Sequence, residues 1–433
     1  MSSTFRALAI RNYRLYAWGG VVSNTGTWMQ RVAQDWLVLQ LHHGSAAQAS
    51  TALGFTTGLQ FLPILLLSPY AGLVADRMPK RRLLQLTQAW MGCVSLVLAV
   101  LALTGVVEPW MVFVCAFAFG TGAAFDAPGR QSFVSEMVPA DVLTNAVSLN
   151  SASFNLARVI GPALSGFLIA AFGSGVRATG IVIAVNGLSY LAVISALRMM
   201  RTAELTPVAR APRGKGMIRD GVRYVRRRPD LKLVLVAGFF AGTFGMNFQM
   251  TSALMATQVF GKGPGEYGLL GTTLAVGSLS GALLGARREG RPRVGLVVAA
   301  GIAFGTVEIG LGLMPNYLAF ALCTPLLGLS LLTMLNAANT TVQLSTEPTL
   351  RGRVMALYMM LVMGGTPIGA PVVGWVGATF GARWTLIGGG AMSLVGVLLA
   401  VVLFGGSGLR WLPRWATRGR VVTEAVDDEA MAA

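Results

Sequence analysis

Histidine is nearly absent from this chain: His42 and His43 stand side by side in one short polar stretch, and no Ser/His/Asp or Cys/His catalytic set can be assembled around them. Cysteine is almost as scarce. Cys93, Cys115 and Cys323 each lie inside an apolar run, without paired spacing or a neighbouring histidine, which excludes a disulfide framework and a zinc site. No Gly-x-x-x-x-Gly-Lys-Ser/Thr cradle for a phosphate occurs, so work done by this chain is not driven by its own nucleotide hydrolysis. Charge is thin too, at 12% of residues where soluble domains carry about a quarter. Neither an enzyme's convergent catalytic set, nor a metal, nor an organic cofactor is expected.

What fills the chain is apolar: 54% of residues are hydrophobic and the mean hydropathy is +0.64. Runs near 14–40, 50–74, 84–105, 110–131, 143–172, 178–198, 232–258, 266–286, 294–314, 317–341, 354–379 and 384–404 each reach the roughly 20 residues that span hydrocarbon as a helix. A membrane β-barrel would need shorter segments with alternating polarity, and these runs are continuous. The fold class expected is all-α and integral to the membrane, with twelve transmembrane helices. The basic residues before the first run precede no short apolar core with a small-residue cleavage site, so the first run itself is the expected insertion signal.

The net charge of +17 raises nucleic acid as a partner, but the placement of the bases argues otherwise. Of the 34 Lys and Arg, only Arg177, Lys262 and Arg383 fall in one set of alternate loops, and Arg31 and Arg158 lie within runs; the other 29 sit in the opposite set with the termini. By the positive-inside rule both termini are cytoplasmic and the chain crosses the inner or plasma membrane many times. The excess reports topology, not a polyanion.

The chain is duplicated. Gly72 recurs as Gly281 and Pro139 as Pro348 at one spacing, and Gly166, Phe172 and Gly173 recur as Gly374, Phe380 and Gly381 at a spacing one residue shorter. Residues 1–198 form one six-helix half, 232–406 the other, and 407–433 a cytoplasmic tail. Between the halves, residues 199–231 are polar, with Pro207, Pro212 and Pro229 and a dense set of bases. There Ile218, Val222 and Val225 share one helical face opposite Arg219, Arg223 and Arg226, which suits a helix lying on an anionic leaflet.

Between the second and third runs stands a charged turn, Gly72-x-x-x-Asp76-Arg77-x-Pro79-Lys80-Arg81-Arg82. This order resembles the loop between helices 2 and 3 of the major facilitator superfamily, the large family of secondary transporters, with Pro79 where the family usually has glycine. The second copy, from Gly281 through Arg287, Arg288 and Arg291, keeps the glycine and the bases and lacks the acid. The fifth run holds Gly161-Pro162-x-x-Ser165-Gly166, a bend with a packing groove. It is similar to the helix-5 motif of drug-exporting members, with Ser165 in place of a glycine. Helix 1 from Trp28 to Val38, Asp126-Ala127-Pro128 and the helix-5 core look like the branch holding macrolide-efflux proteins and the enterobactin exporter.

The resemblance implies two parallel six-helix repeats rocking about a midplane site, outward transport powered by proton exchange, and an inner gate at Gly72, Asp76, Arg77, Lys80, Arg81 and Arg82, with Asp76 set against the start of helix 11 near Arg353. Protons, a small amphipathic molecule and the bilayer are the expected partners of a monomer. An importer or symporter of the same fold is the alternative; a channel or membrane-embedded enzyme fits less well.

A charge near the bilayer centre costs roughly 2.5–3.5 kcal/mol on insertion scales, so each such side chain must face a partner or a wet cavity. Arg31 and Asp35 lie one turn apart, within reach of a local ion pair, and Asp35 is the expected proton carrier. Arg158, near the middle of the fifth run, is its expected counter-charge, with Asp35, Asp126 or a substrate anion as partner. Asp126 can equally pair with Arg130, and Glu308 can reach the outer surface. Uncharged Gln30, Asn150, Asn155, Asn247, Gln249 and Asn336, with the flexible thioether of Met359, are the expected cavity wall, each with interhelical packing as the competing role.

Overall fold

The computed structural model describes residues 3–42, 44–206, 217–286, 294–347 and 350–405. Six helices come first: α1 (Arg11–Leu41), α2 (Ala46–Arg77), α3 (Lys80–Thr104), α4 (Pro109–Met137), α5 (Ala140–Ala171) and α6 (Val176–Met199). A short helix, α7 (Met217–Arg226), leads into α8 (Pro229–Val259), α9 (Pro264–Ala286), α10 (Val294–Gly312), α11 (Tyr317–Ser345), α12 (Arg351–Phe380) and α13 (Ala382–Phe404). Eleven of these are long and apolar enough to cross a membrane by length and composition. The twelfth member of the bundle, α1, is longer than most but carries Asn24, Gln30, Arg31, Gln34 and Asp35, and that polarity separates it from the eleven apolar helices.

Several helices extend past their apolar runs, because their ends are set by chemistry and not by hydropathy. Ser45 accepts from the Gln48 amide to start α2, and Asn316 accepts from the Ala319 amide to start α11. Pro109 begins α4, where its missing amide costs nothing. Gly173 and Gly381, with φ of +100° and +96°, follow α5 and α12 in a left-handed conformation that a side chain would strain. Their matched geometry is the duplication seen in space.

Within the first half, α1 packs on α5 and α6, α2 on α4, and α3 on α4 and α6. The second half repeats the pattern: α8 packs on α12 and α13, α9 on α11, and α10 on α11 and α13. The two halves meet mainly through α2 against α12 and α5 against α9. Both seams are built from glycine and proline. A β-carbon on Gly374 would lie 3.0 Å from the Gly54 Cα, and one on Gly166 would lie 3.1 Å from the Gly268 Cα, so each pair of backbones touches directly. Pro371 presses on Gly58 in one seam as Pro162 presses on Gly271 in the other.

These contacts fall toward the end of the bundle that carries Gly44, Gly173 and Gly381, here the far end; the opposite, linker end carries α7. Further far-end links are Thr272 Oγ1 donating to the Val159 carbonyl at 2.8 Å and Gln258 Nε2 donating to the Ala46 carbonyl at 3.1 Å. Toward the linker end, Leu66 and Tyr70 on α2 and Met359, Met360 and Met363 on α12 are exposed. α8 is distorted by π-helical turns at Ala241–Gly245 and Met255–Val259, insertions that often mark functional segments.

α7 does not present all its expected apolar face outward. Gly221 sits against Leu357 and Arg353 of α12, Val225 is buried, and Val222, Arg219, Arg223 and Arg226 are exposed. The side chain of Ile218 lies outside the described residues, as do Arg287 to Arg291, Pro348 and the 407–433 tail. Just before α8, Arg228 forms a fork with Asp230 at 2.7 Å, and that bond holds the guanidinium above its ordinary pKa.

Candidate functional site

The polar stretch of α1 faces three neighbours at once, and its two charges go to different ones. Asp35, only 7% exposed, accepts a 2.7 Å hydrogen bond from the Tyr267 hydroxyl of α9, in the opposite half. The same hydroxyl lies 3.3 Å from the Gln249 carbonyl of α8. The Tyr267 ring stacks on Trp36 at 6.5 Å, and Trp36 Nε1 donates to the Ser174 carbonyl at 2.9 Å. Asp35 is therefore tied into the contact that holds the two halves together at the far end.

Arg31 does not form the expected ion pair with Asp35. Long helical side chains lean back toward the N-terminus, and the Arg31 guanidinium lies 4.7 Å from the Trp28 ring centre and 5.7 Å from that of Phe61. Tyr267 supplies the carboxylate's donor, and the indole face takes the cation. Arg158 of α5 approaches the same indole at 5.6 Å. It pairs with neither Asp35 nor Asp126, and among the described residues no ion pair reaches Arg31 or Arg158. Each cation–π contact is worth about 0.5–2 kcal/mol, against several kcal/mol to desolvate each ion, so aromatic contact alone does not settle these charges.

Asp126 is placed as a packing node. Its Oδ2 accepts from Arg130 Nε at 2.5 Å, and its Oδ1 accepts from Thr87 Oγ1 at 2.8 Å and Gln88 Nε2 at 2.7 Å, joining α4 to α3. Ser23 of α1 reaches Gln88 Oε1 at 3.2 Å, which extends the node to a third helix. Gln30 is likewise committed: its Oε1 accepts from Asn186 Nδ2 of α6, and both residues are buried. Asn155 bonds back to the Ser151 carbonyl at 2.9 Å on a partly exposed face of α5, five residues beyond the half-buried Asn150. Gln249 and Asn336 are half-buried, and Met359 is exposed. Asn247 is buried; its Nδ2 donates to the Thr243 carbonyl at 2.9 Å, while its Oδ1 has no partner.

In the charged turn, Lys80 pairs with Glu136 of α4, and Arg81 donates to the carbonyls of Leu197 and Arg198 at 2.5 and 3.0 Å, where the end of α6 attracts a cation. Gly72 ends no contact described with the other half, Arg77 and Arg82 are exposed, and the side chain of Asp76 lies outside the described residues. The turn thus pins α3 to α4 and α6. The helix-5 element lies at the seam itself. Gly161 faces the Trp28 Cβ, Pro162 and Gly166 meet α9, and Ser165 Oγ donates to the Met29 carbonyl at 2.9 Å.

One residue escaped the sequence reading, and the surface placement expected for another does not occur. Tyr267 stands in the apolar run of α9, and only its burial at 1% exposure against Asp35 gives it meaning. Glu308 does not reach the surface: it is 1% exposed, with Oε2 unpartnered, against Gly389 and Gly390 of α13.

Comparison with known proteins agrees with this architecture. A family model described as transmembrane secretion effector matches residues 2–407. The multidrug efflux pump Tap of Mycolicibacterium fortuitum is 28% identical over 399 residues, covering 90% of this chain and 94% of that protein. The staphyloferrin A transporter of Staphylococcus aureus is 23% identical over 358 residues, covering 82% and 87%. A crystal structure of a bacterial homolog of the human lysosomal transporter Spinster superposes with a TM-score of 0.69 at 16% identity, covering 95% of this chain and 99% of that one. The chain belongs to the transmembrane secretion effector family of major facilitator transporters.

Proposed function

We propose that this transporter is a proton-coupled exporter of small amphipathic compounds, working as a monomer by alternating access, with both termini in the cytoplasm. The observation that carries this reading is the Asp35–Tyr267 hydrogen bond between the halves. With the linker end taken as cytoplasmic, the far-end seams support reading this as an inward-facing conformation. An ionised Asp35 accepts a charge-assisted bond worth about 1.5–3 kcal/mol, and a proton on the carboxylate weakens it. Protonation of Asp35 therefore shifts the balance between the inward-facing state, which holds this bond, and the outward-facing state, which does not. The efflux pump among its relatives supports the outward direction. Asp76, at the other end of α2, is assigned the matching inner gate.

In proteoliposomes with an imposed pH gradient, wild-type protein should drive an amphipathic fluorescent dye against its gradient. Asp35→Asn should lose that pH-driven movement while binding the dye within about threefold of wild type. Movement in wild type that ignores the gradient, or an unchanged pH response in Asp35→Asn, overturns the assignment.

A further inference from the structure

Arg31 and Arg158 are intramembrane cations that no ion pair reaches among the described residues. They come from different helices, α1 and α5, yet both guanidinium groups lie over the one indole of Trp28, at 4.7 and 5.6 Å. Both are half-buried, so neither is sealed in the packing. Phe61 of α2 flanks Arg31 at 5.7 Å, and Phe154 packs edge-on against Trp28 at 5.9 Å and is itself exposed. The neighbouring acids are committed elsewhere, Asp35 to Tyr267 and Asp126 to Arg130, Thr87 and Gln88.

Two like charges sharing one aromatic platform gain less from the ring than they lose by drying, so they are stable when water or an anion answers them. A guanidinium presents a planar fork that matches the two oxygens of a carboxylate, and two guanidinium groups share one indole here. The rings beside them offer an apolar surface of the kind that binds an aromatic or aliphatic body. We propose that Arg31, Arg158, Trp28, Phe61 and Phe154 form the recognition subsite for an amphipathic anion, a small molecule that carries a carboxylate next to an apolar body. This deepens the transporter reading by naming the charge of its cargo.

The test is direct binding to the purified full-length protein in detergent, with three probes of one shape: naphthalene-2-carboxylate, its amide, and 2-naphthylmethylamine. Calorimetry should show the carboxylate binding at least tenfold more tightly than the amide, with the amine weakest. Arg158→Gln should lose about tenfold for the carboxylate and leave the amide unchanged, while Arg158→Lys should lose only a few-fold, since charge survives without the fork. Thermal unfolding of each unliganded variant checks its fold, and Arg31→Gln repeats the comparison should Arg158→Gln not fold. Failure of the carboxylate to bind, equal affinity for carboxylate and amide, preference for the amine, or carboxylate affinity unmoved in the glutamine variants overturns the proposal. Binding in detergent needs no gradient, so this outcome is independent of whether export is proton-coupled.

Discussion

The two halves share a scaffold and divide the chemistry unequally. In α1–α6, the intramembrane acids are answered: Asp126 by Arg130, Thr87 and Gln88, and Asp35 by Tyr267 across the halves. In α8–α13, the one acid buried in the described helices, Glu308, has an unpartnered Oε2, and Thr243, Asn247 and Ser278 each leave a buried polar atom unsatisfied as well. What duplication preserved is what both seams need, namely Gly166 and Gly374 at backbone contacts and Gly173 and Gly381 at the turns. Side-chain chemistry was free to diverge because it does not hold the halves together by itself. The first half carries the charged machinery, and the second half supplies one hydroxyl and a distorted helix.

The sharpest way to break that contrast is at the Asp126 node. Asp126→Ala strips the acid from Arg130 and leaves two further donors buried, and removing one partner of a buried ion pair typically costs about 3–5 kcal/mol. The variant should show a large drop in thermal unfolding temperature in detergent, with Asp126→Asn intermediate. An unfolding temperature equal to wild type would show that the node does not organise the first half.

A smaller effect is expected at the seams, and it should be conformational. A β-carbon on Gly268 would collide with the Pro162 carbonyl and lie 3.0 Å from the Gly166 Cα. Overpacking of this kind costs about 1–3 kcal/mol, charged only to the state in which α5 and α9 touch. Gly268→Val should therefore shift the protein toward a far-end-open state while it remains folded. Labelling of a cysteine placed at Ser50, which is buried against Gly374 and Gly377 in the α2–α12 seam, should rise in rate; unchanged labelling would mean that the far-end contact does not set the conformation.

Much of this scaffold is legible in sequence, since apolar runs of spanning length and glycines at a repeated spacing are properties of the chain itself. Asp126 with Arg130 is legible for the same reason, being one helical turn apart. Asp35 was visible as a charge in the wrong solvent, but its partner was not: Tyr267 lies 232 positions away, and only the docking of the two halves brings it near. The expected Arg31–Asp35 pair failed for a related reason. Spacing says which side chains can meet, while the competing offers of a hydroxyl from another helix and an aromatic face decide which do. The π-helical turns of α8 leave no mark in hydropathy, because an inserted residue changes the register without changing composition.

The smallest effect should come from Glu308, and it tests whether an intramembrane acid in the second half works as those in the first do. Glu308 packs against Gly389 and Gly390 of α13, and no described contact joins it to the first half. Glu308→Gln keeps the shape, replaces an acid with an amide, and removes no hydrogen bond described for the unpartnered Oε2. Stability should change by less than about 1 kcal/mol, within the range of a typical neutral hydrogen bond. Gradient-driven transport in proteoliposomes should stay within about twofold of wild type, with the same pH profile, where Asp35→Asn loses it. A pH profile displaced in Glu308→Gln would instead make the second half a partner in proton handling, and the division of labour between the halves would fall.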